Sequence, residues 1–207
     1  MTVAECSART RPVHRFARGE TIFAEGDACE RIYKVASGTV RVCRFLPDGK
    51  RHIGDFLLEG DLIGPIDGDV WPMTGEAVTD VTLTSYAKDT FERIEDAAIQ
   101  REYLRHLSDS LHRAQRQIFV LGSQNAKERI ASFLLHLSER TSTSADAALD
   151  LPMCRQDIAD HLGLAVETVS RSMSALKAEG SIRARHANKL NLNTPALRAL
   201  TYTDAAQ

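Results

Sequence analysis

With 207 residues, 43% of them hydrophobic and 26% charged, the chain has material for one large or two modest globular cores. A formal net charge of -2 argues against a general nucleic-acid coat, although a whole-chain sum can conceal a local basic patch. No apolar run reaches the roughly 18–20 residues needed to span a bilayer, and Met1 to Arg15 lacks the apolar centre of a secretion signal, so a cytoplasmic protein with no membrane partner is expected.

From about Phe16 to Lys88, short β-branched and aromatic runs are punctuated by Gly19, Gly26, Gly38, Gly49, Gly60 and Gly64. Ile32 to Val35, Thr39 to Phe45 and His52 to Leu57 read as strands, the last two joined by the turn residues Pro47, Asp48 and Gly49. This spacing predicts an antiparallel β-barrel or sandwich over residues 1–96. Near Ala97 the period changes. Leu104, Leu107, Leu111, Ala114, Ile118 and Leu121 recur at alternating intervals of three and four, the pattern of a coiled-coil seam, and predict a dimerisation helix over 97–122. The same stripe also suits packing on the barrel of its own chain; its narrowness and length favour the dimer. A further helix is predicted from Asn125, with Glu128 as capping partner and Ile130, Phe133, Leu134 and Leu137 on its inner face. Thr141 to Ala148 reads as a loop within a C-terminal domain at 123–207. The expected class is α+β.

The most informative stretch begins at Leu151. Ile158, Ala159 and Leu162 form the inner face of a short helix, which Gly163 ends in the left-handed conformation. A new helix starts after Ala165 and buries Val169, Met173 and Leu176, so two short helices meet across a tight turn, the shape of a helix-turn-helix. The second helix exposes Glu167, Ser170, Arg171 and Ser174 at i, i+3, i+4 and i+7. Such a face suits the DNA major groove, where arginine donates two hydrogen bonds to guanine and glutamate accepts one from cytosine. Gly180 to Leu192 follows as a β-wing, with Arg183, Arg185 and Lys189 available for phosphates. Between Arg155 and Lys189 six cations stand against four anions, so positive charge gathers at this end. The plainer alternative is a solvated helix face.

Glu167-Thr168-Val169-Ser170-Arg171, following Asp157-Ile158-Ala159-Asp160-His161-Leu162-Gly163-Leu164, resembles the DNA-reading motif of the CRP/FNR family, its FNR and FixK branches in particular. Gly19, Glu20, Ile22, Phe23, Glu25, Gly26 and Asp27, then Gly38 and Val40, then Gly60, Asp61 and Gly64, are similar to that family's effector barrel, so the resemblance runs from about Phe16 to Leu192. It implies a cyclic-nucleotide-binding-like barrel, a dimerisation helix and a winged helix-turn-helix. It further implies a homodimer on double-stranded DNA with a palindrome of the TTGAT-N4-ATCAA type, and recruitment of RNA polymerase. Glu167, Ser170 and Arg171 would read bases, with Cys154, Arg155, Thr168, Ser174, Arg183 and Lys189 contacting the backbone or supporting the readers.

Family members differ in their signal. Cyclic-nucleotide binders carry an arginine where this chain has Thr74, Gly75, Glu76 and Ala77, and Pro65-Ile66 follows Gly64 in place of their Glu-Leu; Glu76 would repel a phosphate. An iron–sulfur cluster needs four converging thiolates, yet of Cys6, Cys29, Cys43 and Cys154 only Cys6 lies in the N-terminal arm. No pair has zinc-ligand spacing either. His14, His52 and Cys43 are the haem-ligand candidates, more simply read as structural. The FixK-type pattern remains: no cofactor or metal, with control through the amount of protein. Cys154 stands where the family uses Ser or Thr as helix N-cap, with Asp157 at the third helical position. Sulfur is a poor cap, at a cost of about 1 kcal/mol, and a thiol at a helix N-terminus beside Arg155 is a candidate for oxidation that weakens DNA binding. An enzyme is not expected: Asp67, Asp69, Glu92, Glu95 and Asp96 have no partnered histidine or nucleophile. A haem- or ligand-gated sensor, or a dimeric ligand-binding module without DNA, are the alternatives.

Overall fold

The computed structural model describes residues 12–64, 68–88, 97–141, 148–186 and 188–201. Residues 142–147 of the loop expected at Thr141 to Ala148, Cys6, Pro65-Ile66, Asp67, Glu92, Glu95 and Asp96 lie outside them, and Thr141 itself ends a helix. The chain divides into two compact units, Met1–Ala114 and Gln115–Gln207, and the division falls within one long helix.

In the first unit the strands are β1 (Val13–Phe16), β2 (Thr21–Phe23), β3 (Arg31–Ser37), β4 (Val40–Phe45), β5 (Arg51–Leu57), β6 (Leu62–Ile63), β7 (Thr74–Ala77) and β8 (Val81–Ala87). They form two antiparallel four-stranded sheets, ordered β1-β8-β3-β6 and β2-β7-β4-β5. The barrel expected from the strand spacing takes this two-sheet form. Alternate residues of both sheets point into one core built from Phe23, Val35, Val40, Leu57, Ile63, Ala77, Val81 and Leu83. Fully burying each of the larger of these is worth about 1.5–3 kcal/mol. Phe23 stacks on Trp71 with ring centroids 3.7 Å apart. The ring of Phe23 also covers Gly75 so closely that an added Cβ there would lie 2.3 Å from it. At Gly38, between β3 and β4, φ is +90° and a Cβ would meet the Asp80 carbonyl at 2.3 Å, so only glycine fits that turn.

Helix α1 (Ala97–Ser123) begins in the first unit and ends in the second. Within the first unit Arg113 reaches back to the sheet, 2.8 Å from Asp55 and 3.8 Å from Asp61. Burial works against the guanidinium charge there, but Asp55, Asp61 and Asp109 outweigh it and raise the Arg113 pKa.

The second unit contains α2 (Ala126–Thr141), β9 (Leu149–Asp150), α3 (Arg155–Leu162), α4 (Val166–Ala178), β10 (Ile182–His186), β11 (Lys189–Leu192) and α5 (Thr194–Thr201). Asn125 and Glu128 cap α2 as expected: the Glu128 N–H donates to Asn125 Oδ1 (3.2 Å) and the Asn125 N–H to Glu128 Oε2 (2.9 Å). Helix α2 packs on α4 and α5, and Ile130, Leu134, Ile158, Leu162, Met173, Leu176 and Leu197 are fully buried. The three-stranded sheet β10-β11-β9 closes the module.

Candidate DNA-binding interface

Helix α3 is held at both ends by local chemistry. At its start the Asp157 N–H donates to Cys154 Sγ (3.4 Å) and the Cys154 N–H to Asp157 Oδ2 (3.2 Å), so the cysteine completes a capping box despite the weakness of sulfur as acceptor. At its end Gly163 adopts φ 62° and ψ 39° and returns its N–H to the Ala159 carbonyl. Ala159, fully buried, leaves room for α4 to cross close by. These two stops, with the eight residues of α3 between them, make the helix-turn-helix.

On α4, Val169, Met173 and Leu176 are buried, while Glu167, Ser170, Arg171 and Ser174 are exposed together. Ser170 Oγ donates to the Val166 carbonyl and Ser174 Oγ to the Ser170 carbonyl, both at 2.9 Å, which pins the two hydroxyls with their lone pairs outward. Glu167 and Arg171 make no hydrogen bond or ion pair among the described residues. Their donors and acceptors are therefore unspent, which a groove-reading face requires. Glu167 also lies in the first turn, where the helix dipole favours a carboxylate. Thr168 is half-buried.

Around this face stand the cations. Arg183, Arg185 and Lys189 are exposed on the β10–β11 wing. Arg155 is half-buried at the first position of α3, and burial pulls its guanidinium down from the usual range, with no carboxylate among the described residues to offset it. A cation so placed, next to a helix N-terminus, is relieved by a phosphate.

Along α1, Leu104, Leu107, Leu111 and Ile118 are 48–72% exposed, and Ala114 is exposed with them. Leu121 departs from the row: it is half-buried, and its Cδ2 lies 3.9 Å from where a Cβ on Gly163 would be. Phe119, absent from the expected seam, is 62% exposed beside Ile118. Two further residues escaped the sequence reading because they act on backbone carbonyls. Gln117 Nε2 donates to the His161 carbonyl (2.8 Å), and Arg129 donates to the carbonyls of Leu121, Gln124 and Leu162 at 2.9–3.0 Å. The only sequence signal was an arginine in the first turns of α2, where its own helix dipole disfavours a cation.

Residues 13–97 match the cyclic nucleotide-binding domain and residues 128–200 the Crp-like helix-turn-helix domain. The chain is 39% identical over 191 residues to the nitrogen fixation regulation protein FixK of Rhizobium meliloti, across 92% of this chain and 87% of that protein. It belongs to the CRP/FNR family, on the FixK branch. The transcriptional activator protein FnrA of Stutzerimonas stutzeri is 33% identical over 93% of this chain and 80% of its own length. The structure of FixK2 from Bradyrhizobium japonicum superposes with a TM-score of 0.85 at 32% identity, covering 92% of this chain and 97% of that one. The protein is thus a DNA-binding transcription regulator and not an enzyme.

The domain match at 13–97 raises a cyclic nucleotide as ligand, and the residues present do not fit one. By the family resemblance, Glu76 falls in the segment where cyclic-nucleotide binders carry their phosphate-binding arginine. It is bound by Arg41 (2.7 Å) and lies 3.7 Å from Arg51, all three less than one-fifth exposed, so these cations are engaged within the protein. The neighbouring Gly75 is roofed by Phe23. The haem-ligand candidates are placed no better. Cys43 is fully buried, with its thiol pushed up to about 11 by burial and then by the Glu76 charge, which disfavours the thiolate a metal needs. His14 is hydrogen-bonded to Ser85 Oγ (3.0 Å), and His52 is exposed. Among the described residues no group of three or more His, Cys, Asp or Glu is arranged to hold a metal, and no helix is long and apolar enough to cross a membrane.

Proposed function

We propose that the protein is a cytoplasmic homodimeric transcription activator, dimerised through Leu104, Leu107, Leu111, Ala114, Ile118 and, at the end of the row, Leu121. On this reading it binds a TTGAT-N4-ATCAA-type palindrome and recruits RNA polymerase. The organisation is a sensor-like domain at 1–96, a dimerisation helix at 97–122 and a DNA-binding domain at 123–207. The observation that carries the reading is the exposed face of α4, where Glu167, Ser170 and Arg171 stand with unspent polar groups in the same unit as the exposed cations of the wing. Arg171 takes a guanine and Glu167 a cytosine of each half-site. Cys154, Arg155, Thr168, Ser174, Arg183 and Lys189 hold the backbone or the readers themselves. Activation follows the relatives named as activators. The test is a titration at fixed salt on TTGAT-N4-ATCAA and on a duplex with its G·C pairs changed. Preference for the first, at about 1–3 kcal/mol for each changed pair and lost in Arg171→Ala, supports the reading. Equal binding to both duplexes refutes it.

The capping box favours one regulatory reading. Cys154 Sγ is exposed and sits at the helix end that faces the DNA backbone in this arrangement. Peroxide transfers an oxygen to the sulfur and leaves as water or hydroxide; a second round gives an anionic sulfinate, which would oppose the phosphates. Oxidised protein should bind the palindrome more weakly, and Cys154→Ser should bind equally with and without peroxide. Equal binding by oxidised and reduced wild type would remove this control.

A further inference from the structure

We infer that Arg129 is the positioning residue that sets the spacing between half-sites, by fastening the helix-turn-helix to the end of the dimerisation helix. The inference rests on the paired-site reading above. Helices α1 and α3 both end beside Arg129, and each helix end carries outward carbonyls and the negative pole of its dipole. Two such ends repel unless a cation lies between them. Arg129 supplies it: Nη2 donates to the Leu121 carbonyl in the last turn of α1 (2.9 Å), and Nε to the carbonyl of Gln124 just beyond (2.9 Å). Nη1 donates to Leu162, the last residue of α3 (3.0 Å).

The fork geometry of guanidinium is what makes this joint rigid. Its N–H groups are fixed in one plane, so three carbonyls bound to one group are fixed relative to one another. Gln117, on α1, adds a second tie to α3 through the His161 carbonyl. Gly163 lies at the same place and follows α3 directly. The position of Arg129 on α2 gives independent support. It lies in the helix's early turns, where a cation is unfavourable for that helix itself, so its placement serves the other two ends.

The functional consequence is specific. Reading a single half-site requires only α4 and the wing. Reading two at one separation requires each α3–α4 unit to be fixed on its α1. One inserted base pair displaces a half-site by about 3.4 Å and about 35°, which a rigid joint resists and a loose one accommodates.

Full-length wild type, Arg129→Lys and Gln117→Met are titrated by fluorescence anisotropy onto palindromes with spacers of three, four and five base pairs and onto a lone half-site. Sedimentation and thermal melting accompany each titration. Wild type is expected to favour one spacer by at least thirtyfold. Arg129→Lys keeps the charge but loses the fork, so its preference should fall to about threefold with half-site affinity and dimerisation unchanged. Gln117→Met should fall between the two. A folded, dimeric Arg129→Lys with the wild-type spacer preference overturns the inference. So does an Arg129→Lys that unfolds or loses half-site binding, because Arg129 would then be a general stability residue. Wild type indifferent to spacing would instead remove the paired-site reading, a result visible without any variant.

Discussion

Replacing Cys154 isolates the energy of one cap. The sulfur is 3.4 Å from the Asp157 N–H, and Asp157 is only 3% exposed, so water is a poor substitute acceptor. Cys154→Ala removes the acceptor. Losing a good N-cap costs about 0.5–2 kcal/mol, and sulfur accepts weakly, so about 0.5–1 kcal/mol is expected here. Cys154→Ser installs a preferred cap whose oxygen can draw the N–H toward the normal 2.9 Å or so, a gain of similar size. In a domain of about 60–100 residues each kilocalorie moves the melting midpoint by about 4–8 °C. Calorimetry of the full chain, at one protein concentration because dimerisation makes the midpoint concentration-dependent, should therefore rank serine above cysteine above alanine. The alanine variant should melt about 2–8 °C below wild type. An alanine variant that melts with wild type, or a serine variant that melts below it, would show that the sulfur contributes nothing to the cap.

Leu111→Glu should leave the protomer folded, since the side chain is 58% exposed, yet raise the dimer dissociation constant about a hundredfold or more by removing two buried leucines; sedimentation equilibrium measures it. Arg113→Leu removes one cation from Asp55 and Asp61. The loss should approach the roughly 3–5 kcal/mol of a broken buried pair, less some screening because Asp55 is 26% exposed, and urea titration of the full chain checks it. Cys43 keeps its proton in the folded state up to about 11, whereas the unfolded thiol releases it near 9. The unfolded state thus binds fewer protons between these values, and stability should fall as pH rises from 9 to 11. Urea midpoints at pH 8 and 10.5 should show a drop that Cys43→Ala lessens.

How far the sequence reveals this molecule depends on the range of the interactions. The helix-turn-helix is legible because its determinants are local: a cap at Cys154 with Asp157, a left-handed Gly163, and apolar residues at helical spacing on either side. The strands are legible for the same reason, through alternation and glycine turns such as Gly38. Joints between distant segments are not. Arg113 meets Asp55 across 58 residues, and Arg129 meets Leu162 across 33. In the second case the partner is a carbonyl, which every residue possesses and no composition marks. Leu121 is a mixed case. Period places it on the seam, and the rotation accumulated along a straight helix turns it partly toward its own module, where it is half-buried beside Gly163. In the sequence Glu76 stands as a bare charge, whereas tertiary packing gives it Arg41 and Arg51.

That last pair bears on how the first unit can work. A ligand that gates such a domain must link sheet to helix through contacts made only when it is bound. Here the chain's own side chains tie the sheet to itself, and one of them, Arg113, ties it to the helix. Arg41 and Glu76 join β4 to β7, Phe23 roofs Gly75, and Arg113 joins α1 to β5. A cyclic nucleotide held at the segment around Gly75 would have to displace the Arg41–Glu76 pair and the Phe23 ring. If it bound with a dissociation constant of 10 μM or so, 1 mM would stabilise the folded state by about 2.7 kcal/mol, a rise in midpoint of about 10 °C for a domain near 100 residues. Cyclic AMP or cyclic GMP at that concentration should instead leave both the melting curve and the palindrome affinity unchanged. Glu76→Gln, which takes the carboxylate away from Arg41 and Arg51, should still not confer binding while Phe23 covers Gly75. A rise of even a few degrees in wild type would mean that the pair and the ring yield to a ligand, and that the first unit is a sensor after all.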